Sequence, residues 1–149
     1  MKLEDEIVQR KFLNEAHKLG VNIIYTFNWL NAFQTALLKK YGLTSQQYNV
    51  LRILRGQHPA PVNIKLVRER MLDKMSDASR IVEKLRSKSF LEREISEHDR
   101  RSCEVTITKK GLDLLAKIDK EDVSFEGLFK TLRPEEMKKL NDLLDQLRG

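Results

Sequence analysis

Between Ser76 and Gly111 the hydrophobic repeat switches from the period of a helix to that of a strand. Few folds satisfy both at such short range. Ala78, Ile81, Val82 and Leu85 recur at i, i+3, i+4 and i+7, which is one apolar stripe of an α-helix. The rest of that helix surface carries Ser76, Asp77, Ser79, Arg80, Glu83, Lys84 and Ser87, all polar or charged. From Leu91 the period is two: Leu91, Arg93 and Ile95 alternate with Glu92, Glu94 and Ser96. A second alternating run sets Glu104, Thr106 and Thr108 against Val105 and Ile107. The charged tip Glu97-His98-Asp99-Arg100-Arg101-Ser102 joins the two. A polar-faced helix followed at once by a basic-tipped hairpin is the layout of a winged helix. Such a helix fits the major groove of DNA, and the hairpin reaches the adjacent backbone or minor groove.

The flanking chain reads as helical. Val8, Phe12, Ala16, Leu19 and Ile23 open a stripe that continues through Phe27, Leu30, Phe33, Leu37 and Tyr41, so residues 4–41 are expected to be helix almost throughout. Gly20 is the expected kink or boundary. Val21 to Phe33 is apolar on more than one face, which calls for cover on most sides and, in a chain this short, for a second subunit. Gly42 has the position of a helix C-cap, and Thr44-Ser45-Gln46-Gln47 has capping-box form. The next helix carries Val50, Leu51, Ile53 and Leu54 and is expected to stop at Gly56. Val62–Met71 is read as a short helix, Leu72 to Met75 as a turn, and Ser76–Lys88 as the second helix of a helix-turn-helix. After the hairpin, Thr108 can cap a helix with Leu112, Leu115, Ala116 and Ile118 in its pattern. Pro134, with Glu135 and Glu136 in the first turn, starts a last helix bearing Met137, Leu140, Leu143, Leu144 and Leu147.

Charge is distributed in the same way. The chain of 149 residues carries a formal charge of +6. Residues 44–111 hold 15 Lys and Arg against 9 Asp and Glu, and the flanks hold 13 of each sign, so the whole surplus sits in the middle segment. A basic module between two neutral arms is the footprint of phosphate binding. No basic-then-apolar leader and no apolar run of spanning length is present, and a single cysteine, Cys103, suits a reducing cytosol, so a cytoplasmic protein is expected. His17, His58 and His98 lack ligand spacing with each other or with Cys103, and neither a metal nor a cofactor is expected. With no glycine-rich phosphate loop, acid–base constellation or nucleophile motif, an enzyme is disfavoured. A winged helix used only for protein contact would be better served by an acidic helix face than by this basic one.

The order of elements, together with Leu85, Lys88, the Asp99-Arg100-Arg101 tip and the Val105-Thr106-Ile107-Thr108-x-x-Gly111 junction, resembles the multiple-antibiotic-resistance regulator (MarR) family of bacterial transcription factors. Ser89 is a departure, since such proteins often have Gly before the first wing strand. The resemblance implies a mainly α fold with a small β-hairpin: a winged helix-turn-helix lobe at 44–111 between dimerisation arms at 1–43 and 112–149. It implies a homodimer bound to double-stranded DNA, a repressor on a pseudo-palindromic operator, released by a small-molecule effector, aromatic or phenolic.

The candidate DNA contacts are Lys74, Ser76, Asp77, Ser79, Arg80, Lys84, Asp99, Arg100 and Arg101. Arg80 and Lys84 lie one turn apart on the polar face; either can meet phosphate, and Arg80 can instead read a guanine edge. Ser76 is equally a contact or a helix cap. By the resemblance, Asp99 holds a wing arginine in place, Arg101 enters the minor groove and Arg100 meets phosphate. The alternative is that they only tie the hairpin tip together, which an exposed pair worth ~0–1 kcal/mol does not justify for two adjacent arginines. Tyr25, Trp29, Tyr41 and Tyr48 are core or dimer contacts on their own terms, and candidates to line an effector pocket by the resemblance.

Overall fold

The computed structural model describes residues 2–95, 103–121 and 127–149. Its elements are α1 (Leu3–Glu6), α2 (Glu15–Lys39), α3 (Ser45–Gln57), β1 (Val62–Asn63), α4 (Ile64–Arg70), α5 (Ala78–Ser87), β2 (Leu91–Ile95), β3 (Cys103–Ile107), α6 (Lys109–Glu121) and α7 (Pro134–Arg148). The fold is mostly helical with one small antiparallel sheet.

The first helical stretch breaks at Ile7–Asn14 and not at Gly20, which lies inside the unbroken 25-residue α2. The cause is local: Val8 adopts a positive φ of 54°, which no helix accepts, and the Asn14 side chain accepts a hydrogen bond from the His17 N–H at 2.8 Å to cap α2. Glycine only weakens a helix by about 1 kcal/mol, so Gly20 is carried by its neighbours. At the other end of α2, Gly42 takes the left-handed φ of 66° expected of a C-terminal stop. Thr44 and Gln47 then form the reciprocal capping box. The helix α3 runs one residue past Gly56.

Val62–Met71 is not one helix. Val62 and Asn63 form β1, with Val62 buried opposite Val105. The Asn63 carboxamide accepts from the Leu66 N–H at 2.7 Å and so starts α4 one step later. The sheet order is β1-β3-β2, with β3 central. Leu91 pairs with Ile107, Arg93 with Val105 and Ile95 with Cys103. Leu91 is buried, whereas Ile95 at the outer end of the hairpin is 72% exposed, so the alternation read from sequence covers a core only at its base.

One core gathers Leu38 and Leu43, Val50, Leu51 and Leu54, Val67, Met71, Val82 and Leu85, the strand residues Leu91, Val105 and Ile107, and Leu115 and Ile118 of α6. It therefore crosses the boundaries expected at 43 and 112. Gly111 is its tightest point. A Cβ there would lie 2.4 Å from the Phe90 carbonyl oxygen and 2.7 Å from the Ile107 side chain. Thr108 closes the same corner: its hydroxyl accepts from the Gly111 N–H at 3.1 Å and donates to the Ser89 carbonyl at 2.8 Å. The Val-Thr-Ile-Thr-x-x-Gly junction is thus a packing requirement. Ser89 stands at φ 61°, the left-handed region where glycine is at ease, which explains why glycine suits that place. Lys88 donates to the Gly42 carbonyl at 2.7 Å, tying the end of α5 to the turn after α2.

The arms present a different picture. Of α2 only Leu37 and Leu38 are buried, and α7 buries nothing. Ile24, Phe27 and Trp29 on α2 and Leu140, Leu143 and Leu147 on α7 are between 47% and 63% exposed.

Candidate nucleic-acid interface

The helix α5 presents its apolar stripe inward, with Ala78, Val82 and Leu85 buried and Ile81 half-buried. Ser79, Arg80, Glu83, Lys84 and Ser87 are exposed. The N-cap is Asp77, whose carboxylate accepts from the Arg80 N–H at 3.1 Å. Ser76 does not cap the helix. Its hydroxyl donates to Asp73 at 2.8 Å, and the other Asp73 oxygen accepts from the Met75 N–H at 3.0 Å. These hydrogen bonds, the Ser76 hydroxyl first, hold the Asp73 carboxyl below its ordinary range. Lys74 donates from Nζ to the Glu69 carbonyl at the end of α4. The Asn49 side chain accepts from the Leu72 N–H at 2.9 Å. Every residue of the turn from Leu72 to Ser76 is thus held by a hydrogen bond to the turn itself or to α3 or α4.

The charged side chains of α5 divide into paired and unpaired. Glu83 accepts from Arg86, with the closest contact 2.7 Å, and Arg93 of β2 approaches it at 3.7 Å. The Arg86 guanidinium keeps the Glu83 carboxyl below its usual range. Arg93 also donates from Nε to Cys103 Sγ at 2.6 Å, so a polar chain runs from α5 through β2 to β3. Arg80 and Lys84 have no ion-pair partner among the described residues, and both side chains project from the exposed face. Sequence reasoning missed Asp73, Asn49 and Arg93. Asp73 followed three residues later by Ser76 was the one signal that could have suggested a locked turn. Asp99, Arg100 and Arg101 lie outside the described residues.

The four aromatic residues expected around an effector do not converge. Tyr25 donates its hydroxyl to Glu6 of α1 at 2.7 Å, and Tyr41 donates to Glu121 of α6 at 2.7 Å. Trp29 is half exposed on the arm. Tyr48 is buried, with the Arg52 guanidinium 5.7 Å from its ring centre. Only Tyr48 of the four lines a cavity of about 890 Å³ between α2, α3 and the α4–α5 turn. Its other walls include Phe27, Gln34, Gln46, Arg52, Arg70 and Asp73. The pattern is missed from sequence because most of its groups are polar residues scattered over four elements.

Among the described residues, no cluster of His, Cys, Asp and Glu of metal-binding size is present. No helix among them is long and apolar enough to cross a membrane.

A helix-turn-helix with a three-stranded wing sheet defines the class, a winged helix-turn-helix protein. The MarR family model matches residues 41–102, so this segment is similar to the winged helix of that family. The HTH-type transcriptional regulator SarZ of Staphylococcus epidermidis is 31% identical over 80 residues, which are 54% of this chain and 53% of SarZ. The chain thus matches about half the length of that relative. Among solved structures, a variant of E. coli MarR complexed with operator DNA has a TM-score of 0.79 at 21% identity, covering 94% of this chain and all of that one. Bordetella bronchiseptica BpsR, whose DNA binding is regulated by 6-hydroxynicotinic acid, has a TM-score of 0.73 at 21% identity over 89% of this chain and 99% of BpsR. A MarR-like regulator from Bacillus cereus has a TM-score of 0.74 at 21% identity over 90% and 96%. These likenesses carry the fold across nearly the whole chain.

Proposed function

We propose that this chain is a sequence-specific DNA-binding transcriptional regulator of the cytoplasm, a homodimeric repressor on a pseudo-palindromic operator. One observation carries the reading. Arg80 and Lys84, without an ion-pair partner among the described residues, project one turn apart from the exposed face of a helix whose apolar stripe is buried in the core. A paired cation serves stability; an unpaired one on a helix that fits the major groove serves phosphate or a guanine edge. Ser79 stands beside them, and Lys74, Ser76 and Asp77 form the closely held approach to the helix. Arg100 and Arg101 are assigned to phosphate and minor groove, and Asp99 to holding Arg101. The arms at 1–43 and 112–149 form the dimer, and the lobe at 44–111 binds DNA. A small aromatic or phenolic effector enters the 890 Å³ cavity, where Tyr48 offers a ring and Arg52 and Arg70 offer positive charge. This is a binding function and not a catalytic one.

Selection of bound sequences from random DNA tests the proposal. It should return a pseudo-palindrome with half-sites ~10 bp apart. Affinity for it should fall steeply with salt, with a log–log slope near −0.9 for each of roughly 6–10 neutralised phosphates. Recovery of no preferred sequence, or a flat salt response, would remove the DNA reading. Repeating the selection with phenolic acids present tests the effector.

A further inference from the structure

The apolar residue with the greatest exposure in the described lobe is Met75, at 94%. It lies two residues before the N-cap of α5, at the end of a recognition helix that faces base edges in a docked helix-turn-helix. Its backbone does not share the freedom of its side chain. The Met75 N–H is fixed to Asp73 at 3.0 Å, Asp73 is fixed to Ser76, and the Leu72 N–H is fixed to Asn49 of α3. A clamped backbone thus holds a bare thioether side chain out in the turn that leads into the helix bearing Ser79 and Arg80. Water gives such a side chain no stabilising contact. Leu72, 86% exposed in the same turn, has an occupant available, since it borders the cavity shared with α2 and α3; Met75 does not border it.

Resting on the DNA reading above, we propose that Met75 is a specificity-determining residue that covers the C5-methyl group of a thymine in each half-site. The thymine methyl is the apolar group displayed on the major-groove edge, and a side chain reads it by burial alone. Methionine fits this task because its unbranched, polarisable chain adapts to a surface that it meets only on docking. Asp73 is the positioning residue. Its carboxylate fixes the turn from which the side chain projects, and the chain then needs to order only its own rotamers on binding.

The test replaces thymines of the selected operator one at a time with deoxyuridine, which removes only the methyl group. One position per half-site should lower the affinity of the unaltered protein by ~4-fold, the value of one buried methyl group. Met75→Ala should bind the original operator more weakly by a similar or larger factor. It should no longer distinguish thymine from uracil at that position. Met75→Leu should retain the distinction. Because the side chain is almost wholly exposed, Met75→Ala should fold as the original does, which a melting curve checks. Asp73→Ala should shrink the thymine preference while leaving the salt slope unchanged. If the protein binds its operator but ignores the methyl at every thymine, or if Met75→Ala keeps the full preference, the assignment to Met75 is overturned while the DNA reading stands. If no operator is selected at all, it is the DNA reading that has failed. A loss of dimerisation in Met75→Ala, seen by sedimentation, would place the side chain in a protein contact and also overturn the assignment.

Discussion

The lobe and the arms solve the problem of apolar surface in opposite ways. In the lobe, α3, α4, α5 and the sheet close over Val50, Leu51, Leu54, Val67, Val82, Leu85 and Val105, all at 1% exposure or less. In the arms, residues of the same type stand in the open along α2 and α7, and α7 has no buried residue at all. The junction is Leu38, which belongs to α2 by sequence and to the lobe by packing. A chain that covers the apolar residues of its lobe so completely and leaves those of its arms bare completes only one of the two by its own packing. On the homodimer proposed above, the second copy covers the other.

The sharpest way to break this contrast is at the crowded end. Gly111→Ala forces a methyl against the Phe90 carbonyl and Ile107, and backbone cannot swing aside as a side chain can. Denaturant unfolding should show a loss of about 3 kcal/mol. The same kind of intrusion in the arms should cost the monomer little. Phe27→Ser or Leu143→Glu should leave the lobe folded by circular dichroism while raising the dimer dissociation constant by roughly 10- to 100-fold, the equivalent of one large apolar side chain per subunit. Sedimentation over a concentration series reads this directly, and an unchanged dimer would end that account. Ser89→Gly sharpens the lobe side, since it relieves the left-handed φ of 61° and should stabilise by about 1 kcal/mol, seen as a raised Tm.

The smallest effect concerns pH at the seam between the regions. Glu121 accepts hydrogen bonds from Tyr41 and Lys40, which lower its carboxyl pKa, while the same contact raises that of the Tyr41 phenol. A carboxyl lowered in the folded state contributes stability above its unfolded value near 4.5, and loses it as pH falls through the folded value. A phenol raised in the folded state contributes below 10.0 and loses that contribution as pH rises through the folded value. The seam should be firmest between these limits. Glu121→Gln should flatten the acid side of a Tm-against-pH curve by a small amount, because both groups are exposed.

Periodicity revealed α5, the two wing strands, and the caps at Gly42, Thr44, Thr108 and Pro134, because each depends on residues within a few positions. It did not reveal β1. Two residues carry no period, and Val62 becomes a strand only because Val105 lies opposite. The break after α1 was hidden for a related reason: the apolar stripe continues through residues 7–14 while Val8 turns the backbone out of the helix. For the interface, sequence identified the exposed polar face of α5 but not the clamp at Asp73, whose partners are the backbone of Met75 and the hydroxyl of Ser76. Of the aromatic set, only Tyr48 borders the cavity described above. Ring type says nothing of direction, and Tyr25 and Tyr41 are drawn to glutamates on α1 and α6.

The unbroken passage of α2 through Gly20 has a mechanical consequence. Its 25 residues form a rod about 37 Å long, anchored in the lobe by Leu38 and largely bare along its length. A rod converts rotation at one end into translation at the other. A tilt of about 5° at the far end carries the lobe about 3 Å, close to the rise of one base pair along a strand. In the homodimer proposed above, two such rods would set the span between recognition helices as the legs of a drafting compass set a radius. A molecule wedged between rod and lobe, against Phe27 on one side and Asp73 on the other, would change that radius without touching Arg80 or Lys84.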